Sequence, residues 1–120
     1  MQYHPPAWLP ASEENQRKDY YGHLRAEVIE AIPDGCATIL DVGCGRGTLG
    51  RWLKENGVRT VYGVELFPAA GEEAKRWLDQ AVIGNIEQLD LPFPEGTVDC
   101  IVCADVLEHT VDPWAVMAKL

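Results

Sequence analysis

Apolar residues at Tyr21, Leu24, Val28 and Ile32 recur every three or four positions with polar residues between them. That spacing predicts a helix running from an N-cap at Ser12 to a stop at Pro33-Asp34-Gly35. The rhythm then changes. Thr38 to Val42 is short and mostly β-branched or aliphatic, which predicts a strand, and it runs directly into Gly43, Gly45 and Gly47. Thr48 to Asn56 returns to helical spacing, with Leu49, Trp52 and Leu53 inward and Gly57 as the C-terminal cap. Val61 to Glu65 reads as a second strand. Pro68 suits the first turn of a helix that continues through Ala74, Trp77 and Leu78. A third strand follows at Ala81 to Ile83. Asn85 to Thr97 contains Pro92, Pro94 and Gly96 and reads as a loop, and Val98 to Cys103 as a fourth strand. Asp112-Pro113 then supplies an N-cap and a first-turn proline for one more helix.

Strands that are nearly all apolar and alternate with helices imply an α/β fold, a parallel sheet covered by helices and wound right-handedly. In such sheets a ligand sits beyond the carboxyl ends of the strands, at the point where the strand order reverses. Asp41 to Gly47, Glu65, Asn85 and the stretch Ala104 to His109 all fall at such ends.

Composition narrows the functional classes. The 120 residues suffice for one core, and 47% apolar with 24% charged residues is an ordinary globular balance. A formal charge of −9 disfavours nucleic acid and anionic lipid as partners. Arg17/Lys18 and Lys75/Arg76, the close basic pairs, sit among carboxylates in helical patterns and read as solvated faces. Cys36, Cys44, Cys100 and Cys103 do not suggest a disulfide framework, and a reducing, cytoplasmic setting fits them. Cys100 and Cys103 have C-x-x-C spacing, but three positions apart on a strand they face opposite ways, so no metal site is assigned. No signal peptide or membrane span is visible in the pattern. Residues 1–12, with Pro5, Pro6 and Pro10, read as an extended arm whose Trp8 lies on the domain surface or packs against a neighbour. Residues 13–120 form the domain.

Glycines at a strand-to-helix turn let backbone approach a ligand closely, and the helix start offers N–H groups to a negative group. A dinucleotide site would want G-x-G-x-x-G, with its third glycine where Thr48 stands; the pattern here is G-x-G-x-G. Glu65 ends the second strand 18 residues beyond Gly47, where a carboxylate can accept hydrogen bonds from both hydroxyls of a ribose. Leu40-Asp41-Val42-Gly43-Cys44-Gly45-Arg46-Gly47 resembles the first motif of class I S-adenosylmethionine-dependent methyltransferases. The stretch Leu91 to His109, followed by Asp112-Pro113-Trp114, is similar to the fourth-strand region of their small-molecule members.

The resemblance covers roughly Ile39 to Leu120. It implies a Rossmann-like doubly wound sheet of about four strands in the order 3-2-1-4, with the C-terminal strands of the methyltransferase fold missing. It implies S-adenosylmethionine as cofactor, with Asp41, Gly43, Cys44, Gly45 and Gly47 at its methionine end and Glu65, with Leu66 beside it, at the ribose. Asn85 and Ile86 fall at the adenine, where the family commonly has an aspartate; the asparagine departs from that pattern but can still accept from the adenine amino group. Ala104 falls at the backbone just after the fourth strand, near the methionine part. The expected activity is methyl transfer to a small-molecule acceptor. No catalytic base is assigned: Asp105 is a candidate for orienting an acceptor, and His109 is either a general base or a packing and capping residue. Tyr20 and Tyr21 either close over the cofactor or pack in the interior. A non-catalytic S-adenosylmethionine-binding module is the alternative, and a nicotinamide-dependent oxidoreductase a weaker one that Thr48 argues against. With the strand after it missing, Val98 to Cys103 is expected at the sheet edge, where unpaired N–H and C=O groups invite self-association.

Overall fold

β-branched and aliphatic runs become the strands in the computed structural model, which describes residues 1–9, 24–94 and 96–103. In chain order the elements are α1 (Ala26–Ala31), β1 (Thr38–Val42), α2 (Thr48–Glu55), β2 (Thr60–Glu65), α3 (Pro68–Ala74), β3 (Gln80–Ile83) and β4 (Cys100–Val102). The strands are parallel throughout and ordered β3-β2-β1-β4. The chain therefore winds outward from β1 to β3, then crosses back to place β4 against the other side of β1. That reversal lies between β1 and β4, with the glycine turn directly above it.

Alternation along each strand divides the core in two. On one face Ile39, Val61, Ala81 and Val102 pack with Ile29 of α1, Trp52 and Leu53 of α2 and Ala74 of α3. On the other, Leu40, Val42 and Val64 pack with Ile86 and Phe93 from the connection between β3 and β4. Phe93 stacks on Tyr62 with ring centroids 4.6 Å apart. Among the described residues the helices cover one face, and the expected loop Asn85 to Thr97 covers the second.

Element boundaries differ from the sequence expectation by a residue or more at several points. Regular helix ends at Ala74, not at Leu78, because the last turns tighten: the N–H groups of Arg76 and Trp77 bond back three residues to Glu73 and Ala74. Trp77 and Leu78 still turn inward. β4 begins two residues later than Val98, since Asp99 turns its carboxylate to the N–H groups of Ala37 and Thr38, both at 2.9 Å. Of the long first helix, Ala26–Ala31 is described; Ser12, Tyr20 and Tyr21 lie outside the described residues.

Residues 1–9 lie on α2. Trp52 donates its indole N–H to the His4 carbonyl at 2.8 Å, and Trp8 donates its own to Glu55 at 2.7 Å. The Arg51 guanidinium lies 4.0 Å from the ring centroids of both Trp8 and Trp77, a cation–π sandwich that fastens this segment to the helix side of the sheet. Among the described residues no helix is long and apolar enough to cross a membrane.

Gly63, in the middle of β2, is where the glycine turn meets the sheet. A Cβ there would lie 2.7 Å from the Cys44 sulfur and 2.5 Å from a Leu78 methyl. Gly63→Val is expected to lower the unfolding free energy by about 1–3 kcal/mol, the range for overpacking a filled core. Urea denaturation followed by tryptophan fluorescence checks it.

Candidate functional site

β1 and β2 carry two acidic side chains to their carboxyl ends. Asp41 is in register with Gly63, and Val42 with Val64, so Glu65 ends one step above on the neighbouring strand. Both are buried, 5% and 3% exposed respectively. By alternation they share the face of Ile39 and Val61, the face on which the glycine turn folds over.

That turn is held to β2 by its own backbone. Gly43 and Cys44 both donate to the Val64 carbonyl, at 2.8 and 3.0 Å. Gly45 donates to Glu65 Oε1 at 3.0 Å, and Phe67, just past the strand, donates to Glu65 Oε2 at 3.0 Å. One carboxylate thus ties the glycine turn to the start of α3. Gly43, Gly45 and Gly47 have φ of 79°, 57° and 85°, conformations that a side chain resists. Gly47 is also pressed against α3: a Cβ would lie 3.0 Å from Ala74 Cα.

Asp41 differs from its neighbour. Among the described residues no hydrogen-bond donor reaches its carboxylate, and burial, followed by the adjacent Glu65 charge, pushes its pKa up to about 7. Cys44 lies against the same pair. Its thiol is held far above its ordinary value by burial, then by the charges of Asp41 and Glu65, which leaves it neutral and a poor nucleophile. The Cys103 thiol, half-buried, is raised by burial and by Asp41.

The structure brings Asp41, Gly43, Cys44, Gly45, Gly47 and Glu65 together around one point. Leu66 and Phe67 stand at its rim, 53% and 50% exposed. Asn85 follows β3 next to β2, where Gly84 donates to the Glu65 carbonyl at 2.8 Å. Its side-chain oxygen accepts the Glu87 N–H at 2.9 Å, closing the turn. Ile86 is buried against Val64 and Phe93. Ala104, Asp105 and His109 lie outside the described residues. Sequence reasoning missed Phe67. The signal was an aromatic residue immediately before Pro68, at a helix N-cap where a small polar side chain is usual; the helix has no side-chain cap there.

Residues 40–120 match the Methyltransferase domain family. The ubiquinone biosynthesis O-methyltransferase of Acinetobacter baylyi is 30% identical, over 78% of this chain and 42% of its own length. A probable pectin methyltransferase of Arabidopsis thaliana, QUA2, is 31% identical over 78% of this chain and 15% of its own. Among solved structures, the S-adenosylmethionine-bound amino pentose methyltransferase CalS10 of Micromonospora echinaspora superposes with a TM-score of 0.62 at 21% identity, over 98% of this chain and 52% of that one. The PH0226 protein of Pyrococcus horikoshii gives 0.62 at 20%, over 91% and 51%. The chain spans less than half the length of these curated relatives. It belongs to the class I S-adenosylmethionine-dependent methyltransferases.

Proposed function

We propose that the chain holds S-adenosylmethionine for methyl transfer to a small-molecule acceptor, through Asp41, the turn Gly43 to Gly47, Glu65, Leu66, Phe67, Asn85 and Ile86. The observation that carries this reading is the Asp41 carboxylate, buried beside a second carboxylate with no donor among the described residues. A ligand that brings positive charge relieves that arrangement, and the cofactor bears both an ammonium and a sulfonium group. A phosphate-bearing dinucleotide would add negative charge to it.

Glu65 fits a ribose without releasing the glycine turn. Each of its oxygens already accepts one backbone N–H, and each has a second lone pair for a hydroxyl. Leu66 and Phe67 offer apolar surface to a flat ring, and Asn85, fixed by its turn, offers a neutral amide at the adenine position. When bound, S-adenosylmethionine supplies an activated methyl group on a good leaving group, so the protein's work is alignment and, for a hydroxyl acceptor, proton removal. His109 is the candidate for that last role, and Asp105 for orienting the acceptor. The names of the ubiquinone-biosynthesis and amino pentose relatives support a small acceptor.

Glu65→Ala is expected to weaken S-adenosylhomocysteine binding by about 1–3 kcal/mol, the worth of charge-assisted hydrogen bonds to the ribose. Calorimetric titration of the folded variant measures it; unchanged affinity removes Glu65 from the site. Gly45→Val should abolish binding while circular dichroism keeps its shape, since φ of 57° and close backbone approach both exclude a branched side chain.

The acid pair also sets a pH dependence. Asp41 keeps its proton in the native state up to about pH 7, whereas the unfolded chain gives it up near the ordinary aspartate value of 3.8. The native state binds more protons between those limits, so stability is full below the lower one, falls as pH rises through the window and levels off above about 7. The loss attributable to this group is at most about 4 kcal/mol. Denaturation midpoints between pH 4 and 8 should show that fall, and Asp41→Asn should flatten it.

A further inference from the structure

The turn after β3 pins one half-buried side chain at the carboxyl end of the sheet. Asn85 holds that turn from its backbone and its side chain together: its carbonyl accepts the N–H groups of Gln88 and Leu89, at 2.9 and 3.0 Å, and its Oδ1 accepts the Glu87 N–H at 2.9 Å. Leu89 packs back against Gly84, where a Cβ would meet its methyl group at 2.8 Å. The Glu87 contact also settles the amide. A backbone N–H only donates, so the atom it meets is the oxygen, and the NH2 group stands across the amide plane from it. Among the described residues that NH2 group has no acceptor. The sheet sets its distance from Glu65. Ile83 is in register with Glu65 and Gly84 donates to the Glu65 carbonyl at 2.8 Å, so Asn85 stands two residues beyond the partner of Glu65 on the neighbouring strand. A base attached to a ribose at Glu65 comes within reach of that amide.

We propose, resting on the cofactor site assigned above, that Asn85 meets the base as a hydrogen-bond donor through Nδ2, so that the site takes 6-oxopurine analogues of the cofactor as well as adenosyl compounds. The oxygen that would accept from a 6-amino group is the one the Glu87 N–H already holds. What remains for the base is the NH2 group, and it needs an acceptor. A 6-aminopurine offers its ring nitrogens, and a 6-oxopurine offers O6 besides, so neither base is excluded. An aspartate in the same turn would keep the bond to Glu87 and put a second, charged oxygen where the NH2 stands. That oxygen would accept from a 6-amino group and repel a 6-oxo group. The choice of amide over carboxylate at this one position therefore decides how strictly the base is selected.

The test is calorimetric titration of the chain with S-adenosyl-L-homocysteine and with S-inosyl-L-homocysteine, its 6-oxo analogue. The two should bind the wild type within about threefold of each other, whereas Asn85→Asp should favour the adenosyl compound by about ten- to a hundredfold, the effect of one charge-assisted hydrogen bond made to one base and opposed by the other. Asn85→Asp keeps the turn acceptor, so its thermal melting without ligand should match the wild type. If it fails to fold, the wild-type ratio decides the matter alone. A wild-type preference for the adenosyl compound of about tenfold or more, the size of a made hydrogen bond to the amino group, would overturn the inference. So would a ratio that Asn85→Asp leaves unchanged. In both cases S-adenosyl-L-homocysteine still binds and the cofactor reading stands. Failure of the wild type to bind either compound would overturn that reading and this inference together.

Discussion

Two carboxylates buried side by side at the carboxyl ends of β1 and β2 are the constraint on which the site depends. Burying one charge costs several kcal/mol unless it is paired, and burying two adjacent ones costs more. The chain meets this in two ways. Glu65 takes two backbone N–H groups, and in doing so becomes the clasp between the glycine turn and the first turn of α3. Asp41 has no such partner among the described residues and keeps a proton up to about pH 7. The strain is local, and a cationic ligand at this point would relieve it.

The rest of the fold serves that placement. Parallel register puts Asp41 opposite Gly63, and the lack of a side chain at Gly63 admits Cys44 and hence the whole turn against β2. Gly47 lets α3 come within contact of the turn. Trp52 and Leu53 anchor α2 on the helix-covered face, and the Trp8–Arg51–Trp77 sandwich fastens the N-terminal segment to that helix. The glycine turn is thus held from several sides beside the switch point between β1 and β4.

Much of this was legible in the residues themselves. Four strands could be read from β-branched runs, and the G-x-G-x-G spacing, with Glu65 a fixed distance on, marked the candidate site, because such turns tolerate few alternatives. What was not legible depended on contacts between distant positions. The tightening of the chain after Ala74 answers to packing of Trp77 and Leu78, not to helix propensity. Asn85 was read as a ligand contact from its place after β3, whereas its side-chain oxygen also closes a turn on Glu87. Phe67 escaped because exposed aromatic residues carry no periodic signal.

The charge state of Asp41 offers the most direct measurement. Below pH 7 a cofactor that brings positive charge to this site should drive the proton off, so binding must release protons to the buffer. Titration of S-adenosylmethionine at pH 6.5 in two buffers of different ionisation enthalpy counts them. Release of a large fraction of a proton per bound cofactor, lost in Asp41→Asn, is the predicted result; binding with no proton exchange, or exchange that persists in Asp41→Asn, would contradict the account of the acid pair.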